Sequence, residues 1–326
     1  MKITNSSVRS WSRLGQRATF FAIAMPEIVE KNENIKLLTA DLAQLSNMDR
    51  IKSKYPDKLI NVGIAEQNMV AIAAGLAMED YCVFATTYAS FIAVRSLEQA
   101  RQHLSQLKLN VKLVGSSTGV VAARSGIAHW ATEDIAFMRA LPNMIVMNAA
   151  DSVEAYWMAH YAASVPDPMY IRLNGTPGCQ MVYDENFQFE PGKIQLMIQG
   201  KDVALLGTGL MVYEALEASK VLEARGISCT VADVHTLKPI DKETLNSLFA
   251  SHKLIVTIEE HNVIGGLGSA VAEYKTTLKS APKQIMIGIP DTFSKNIGSQ
   301  RYIWNQFGLT APQIADRIIK EYEETI

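Results

Sequence analysis

Short apolar runs alternate with stretches whose apolar side chains recur every three or four positions. In the first half, Ile35–Leu38, Leu59–Val62, Cys82–Ala85, Val111–Val114, Met144–Met147 and Tyr170–Arg172 are such runs. They read as strands of a parallel sheet, where both faces are covered and polar alternation is lost. Val111–Val114 is expected to end at Gly115. Between the strands, Asn68–Met78 reads as a small-residue helix, and Ser90–Leu107 and Val153–Ala163 as helices by their spacing. Strands alternating with helices imply βαβ units.

Tyr183–Gly200 interrupts the rhythm with Asp184-Glu185-Asn186 and Glu190-Pro191-Gly192, both turn-forming. A linker is therefore expected near residue 190, with domains at 1–190 and 191–326. Beyond it, Val203–Leu206, Ser228–Asp233, Leu254–Glu259 and Gln284–Ile289 read as strands. Met211–Arg225, Lys242–Ala250, a segment after Gly265–Gly268, and Ala311–Glu323 read as helices. The expected class is α/β: two domains, each a mostly parallel sheet flanked by helices.

Length agrees, since 326 residues at roughly 150 per domain suggest two. Hydrophobic residues make up 48% and charged residues 20%, as in globular proteins. A net charge of -2 provides no basic field for nucleic acid or an anionic membrane, so neither is an expected partner. Cys82, Cys179 and Cys229 form no CxxC pair and suit a reducing compartment. Met1–Gln16 is polar, and no window reaches the ~18 apolar residues of a membrane span. The expected location is the cytoplasm.

The most informative segment is Asn61–Gly75. Glu66 lies just past a strand where a helix begins, among apolar Val62, Ile64 and Ala65. The carboxyl end of a parallel strand is the usual ligand crevice of an open α/β sheet. A desolvated carboxyl there is suited to share a proton near neutrality. The plainer reading is a carboxylate stabilised by the helix macrodipole.

The run Gly63-Ile64-Ala65-Glu66-Gln67-Asn68-Met69 closely resembles the thiamine-pyrimidine motif of transketolases. The likeness continues in order through Phe84–Phe91, Arg95–Arg101, Gly115–Gly119, His129 with Glu133-Asp134, Leu141-Pro142-Asn143, Val203–Gly209 and Glu259–Gly268. It implies a pyrimidine-binding domain followed by a transketolase C-terminal-like domain. It also implies thiamine diphosphate as cofactor and transfer of a two-carbon ketol unit between sugar phosphates. In that family a glutamate hydrogen-bonds N1′ of the aminopyrimidine, and Glu66 matches it. Tyr88 matches the aromatic residue that stacks on the pyrimidine, and Phe91 a neighbouring aromatic. His129 matches a histidine at the donor sugar's reacting end, where a neutral imidazole can pass protons. Taken without the family, Tyr88 and Phe91 at i, i+3 are ordinary core, and a histidine beside Trp130 is more often packed. His261, before the Gly-rich turn, is the next histidine of interest.

Several positions depart from the family pattern. Arg124-Ser125-Gly126 stands where transketolases commonly carry an acid-Asp-Gly run, and Ser117 where a substrate-binding histidine often lies. Arg17 and Ser46 fall at phosphate contacts. A phosphate-binding arginine near Gly175 is missing, with Arg172 close by. Arg124 can supply the lost positive charge, since a guanidinium binds phosphate through two parallel hydrogen bonds. A solvated surface arginine is the alternative at each. These changes suit an unusual donor, such as a ketose phosphate derived from a branched sugar.

Family members also hold the diphosphate through Mg²⁺ on a domain beginning Gly-Asp-Gly, and this sequence contains no Asp-Gly dipeptide. No oxygen-ligand cluster suited to Mg²⁺ is evident. The resemblance therefore implies a split enzyme, with the Mg²⁺ ligands on a partner chain carrying the N-terminal domain, in an α2β2 assembly. A deoxyxylulose-phosphate-synthase-like carboligase and a non-catalytic regulatory protein are the alternatives.

Overall fold

The computed structural model describes residues 2–174 and 176–324; Met1, Gly175, Thr325 and Ile326 lie outside the described residues. Six parallel strands form the first sheet: β1 (Ile35–Thr39), β2 (Leu59–Asn61), β3 (Cys82–Tyr88), β4 (Val111–Ser116), β5 (Ile145–Asn148) and β6 (Met169–Leu173). The second sheet contains β7 (Gln195–Ile198), β8 (Val203–Gly207), β9 (Cys229–Asp233), β11 (Leu254–Asn262) and β12 (Lys283–Ile289). Its strands are parallel except β7, which runs antiparallel to β9. β10 (Thr236–Lys238) leaves the second unit and pairs antiparallel with β5, giving the order β10-β5-β6-β4-β3-β1-β2. The two units are thus joined through a shared sheet.

Burial explains the strand positions. Every residue of β4, β6, β8 and β9 is buried, which accounts for their mostly apolar character; the charged exceptions Lys112, Arg172 and Asp233 are hydrogen-bonded inside the fold. β7 alternates half-buried and exposed residues at a sheet edge. That weak pattern and its place inside the turn-rich segment hid it from the sequence reading. β10 has three residues and pairs across to the other sheet, so local sequence carried no sign of it.

Three readings need correction. Ser90–Leu107 is helical but not one regular helix: wide-turn (π) segments Phe91–Arg95 and Ala100–Ser105 flank the short α-turn Leu97–Gln99. β4 continues past Gly115 to Ser116, pairing with Tyr88 and Leu173. The polar N-terminus, assigned no element, forms the helix Asn5–Leu14, whose first turn is capped by the Thr4 side chain accepting from the Ser7 N–H. Gly15, at φ 83°, ends it, and a Cβ there would lie 2.3 Å from the Thr176 carbonyl oxygen.

The helix Ser152–Ser164 is capped by Asp151, which accepts from the Glu154 N–H at 3.0 Å. Glu66–Met78 packs Met69, Val70, Ala73, Ala74 and Ala77 into the core beside Val83 and Ala85 of β3. No helix among the described residues is long and apolar enough to cross a membrane.

Candidate active site

Residues that follow the carboxyl ends of β2, β3 and β4 come together through one ion pair and a set of ring contacts. Glu66 opens the helix that follows β2, and Tyr88 is the last residue of β3. Phe91 begins the wide-turn segment after it, and Ser117 follows β4 in the left-handed region at φ 57°. His129 lies in the 3₁₀ turn Ile127–His129. The ring centres of Tyr88, Phe91 and His129 are mutually 5.3–5.6 Å apart, edge against face. Such aromatic walls accept a flat heterocycle. His129 Nδ1 is buried without a hydrogen-bond partner.

Glu66 is 2% exposed, and its Oε2 accepts a 2.6 Å ion-paired hydrogen bond from Arg95 Nη1. The Arg95 guanidinium carbon lies 4.3 Å from the Phe91 ring centre. Arg95 therefore links the acid to the ring cluster. Only position i+4 from Phe91 hinted at this, and the sequence reading gave the residue no role.

Arg17 is buried, and its Nε has no partner. Burial holds its guanidinium below the usual range, an effect opposed by the nearby Tyr88 hydroxyl. Arg17 lines a cavity of about 490 Å³ with Arg13, Gln44 and Asn47, three residues the sequence reading did not single out. Ser46 is fully buried, and its Oγ is unpartnered. Arg124 and Ser125 are exposed in the 3₁₀ turn Ala123–Ser125, four to five residues before His129.

Arg172 departs from the expectation of a phosphate contact. It is 2% exposed on β6, with Nε donating to Asp134 Oδ2 at 2.8 Å. Its Nη2 donates to the carbonyls of Ala131 and Glu260 at 2.8 and 2.9 Å. Tyr170 donates to the same Asp134 oxygen. Arg172 thus joins β11 of the second sheet to the first unit and is committed to structure. His261 is likewise fully buried: its Nε2 accepts from the Ala136 N–H, and burial holds it down at about 4.

The Gly-rich run also has a structural explanation. Glu259 accepts from the N–H groups of Leu267 and Gly268 at 2.7 and 2.8 Å, filling that helix N-terminus itself. A Cβ on Gly266 would lie 1.8 Å from Glu259 Oε2, so only glycine admits the carboxylate. Burial raises Glu259 to about 7. Among the described residues no group of three His, Cys, Asp or Glu side chains could hold a metal ion.

Known proteins share this sequence pattern and fold. Residues 16–176 match the transketolase pyrimidine-binding domain model, and residues 192–314 the transketolase C-terminal domain model. This chain belongs to the transketolase family. It is 35% identical over 300 residues to a putative transketolase C-terminal section of Methanocaldococcus jannaschii, covering 91% of this chain and 93% of that one. It is 31% identical to an apulose-4-phosphate transketolase subunit of Phocaeicola vulgatus, covering 89% and 92%. A solved structure described as a split gene transketolase, inactive beta4 tetramer, superposes with a TM-score of 0.86 at 36% identity, covering 96% and 99%. The chain spans about half of the 1-deoxy-D-xylulose-5-phosphate synthase of Dictyoglomus thermophilum, at 32% identity and 49% of that protein's length.

Proposed function

We propose that this chain supplies the pyrimidine-holding half of a thiamine-diphosphate-dependent transketolase, and that a partner subunit supplies the diphosphate and Mg²⁺ site. The observation that carries this reading is a buried acid, Glu66, beside the Tyr88–Phe91–His129 ring cluster. These residues fit an aminopyrimidine: a carboxylate with one oxygen uncommitted, aromatic faces, and an imidazole nitrogen lacking a partner. The chemistry thiamine diphosphate supplies when bound is a stabilised carbanion that takes up a two-carbon unit from a ketose.

Glu66 would share a proton with the pyrimidine N1′, and Tyr88 and Phe91 would fix the plane of that ring. His129 would carry a proton to or from the reacting hydroxyl or carbonyl oxygen. Arg17, Ser46, Ser117, Arg124 and Ser125 would hold the sugar phosphate. Its class stays that of a ketose phosphate donor and an aldose phosphate acceptor. The chain would divide near residue 190, with both domains serving an α2β2 assembly in the cytoplasm. A partner is supported by exposed apolar side chains near the acid in sequence, Ile64 at 75% and Val94 at 50%. It is also supported by relatives matched over most of their length that are called a section or a subunit.

The test is a ketol-transfer assay of the chain with its partner against a panel of ketose phosphates. Transfer by the pair, with none from either chain alone, is the expected result. Release of carbon dioxide from pyruvate would move the assignment to the synthase, and inactivity with a partner that binds would leave a regulatory role.

A further inference from the structure

We propose that Arg95 is a positioning residue that ties one oxygen of Glu66 and leaves the other for the cofactor's pyrimidine. This rests on the thiamine reading above. Glu66 has a single side-chain hydrogen bond among the described residues, from Arg95 Nη1 to Oε2. A guanidinium commonly takes both carboxylate oxygens in a fork. Here it takes one, so Oε1 stays uncommitted while the buried charge is compensated. Arg95 is itself held by its stack over Phe91, and Phe91 stands against Tyr88 and His129. The acid and the ring cluster are therefore set relative to each other by one side chain.

A comparison within the molecule separates this role from a purely structural one. Arg172 is 2% exposed with three acceptors, as expected of a tie inside the fold. The Arg95 side chain is 47% exposed, and among the described residues its one charged partner is the candidate catalytic acid. Its removal therefore leaves most of the fold's contacts in place while freeing Glu66 to turn.

The experiment titrates thiamine diphosphate, with Mg²⁺ present, into the complex of this chain with its partner and follows intrinsic fluorescence. R95M should weaken binding by roughly tenfold or more, the scale of a hydrogen bond to a charged group. R95K should recover part of the loss by restoring charge without the stack. On an E66Q background R95M should add nothing, because no carboxylate remains to be oriented, and the melting temperature of the free chain should hold within a few degrees. Wild-type affinity in R95M, or the same loss on both backgrounds, overturns the role of Arg95 alone. A wild-type complex that binds no cofactor overturns this proposal and the thiamine reading together. R95Q replaces R95M if that variant does not assemble.

Discussion

The candidate site at the ends of β2, β3 and β4 and the seam between the two sheets both bury ionisable side chains, but they satisfy them differently. In the seam the buried charges are tied into the fold, although Asp134 Oδ1 and Asp233 Oδ1 are left without a partner. Arg172 holds Asp134 and two carbonyls, Glu260 accepts from Trp304, Gln300 and the Val120 N–H, and Tyr183 donates to Asp233. On the first unit, by contrast, the side chains of His129 in the ring cluster, of Arg17 near Tyr88, and of Ser46 make no hydrogen bond among the described residues. An unpaired buried polar group costs about 1–3 kcal/mol. His129 stands in the ring cluster near Glu66 with an unpartnered nitrogen, as the proposed ligand site requires, whereas the charges of the seam find partners within the fold.

The sharpest test of that contrast removes one charge from each region. Glu66→Ala should cut activity of the assembled enzyme by about 10²–10⁴-fold, the range of a general acid or base, while the melting curve stays near wild type. Unchanged activity with native assembly would place Glu66 with the structural groups. Arg172→Met should do the reverse through stability, leaving Asp134 buried and uncompensated at a cost of about 3–5 kcal/mol. Denaturant titration reads that loss, and a variant as stable as wild type would dissolve the distinction.

Tyr88→Ala sharpens the candidate-site side. Cofactor affinity should fall by roughly tenfold, the upper end of an aromatic pair's contribution, with a smaller effect on stability. Equal cofactor affinity would assign the ring to the core.

The smallest effect lies in the pH dependence of the seam. Burial raises Glu259 to about 7; burial and the Asp233 charge raise Glu154, and burial with the Asp151 charge raises Asp233. Raised carboxyls bind protons in the folded state that the unfolded chain has already released. They therefore favour the fold at low pH, and that contribution is lost as pH climbs from about 4.5 through 7, by at most ~1.4 kcal/mol per pH unit per group. His235 and His261, both held at about 4, act oppositely: their contribution grows as pH rises from about 4 to the usual histidine value near 6.5 and then levels off. Above that range only the carboxyl loss remains. Denaturation of Asp233→Asn at pH 6.5 and 8 should show a shallower fall than wild type, and an equal slope would remove Asp233 from the account.

The sequence by itself determined the two-unit α/β class, most strands of both sheets, and the motif around Glu66. These features are local: a buried parallel strand needs a short apolar run, and a βαβ unit needs strands and helices in alternation. Tertiary structure decided which buried charge lines a cavity. Arg17 and Arg172 are alike in composition and both near-fully buried, but one lines a cavity and the other is tied to Asp134 across the seam. Arg95 was part of a recognised motif, but only the π turn after β3 and the start of the helix after β2 bring it to Glu66, 29 positions away. β10 and the edge strand β7 were hidden for the same reason. Pairings between segments far apart in the chain depend on how sheets and loops pack, and apolar spacing within one segment does not record them.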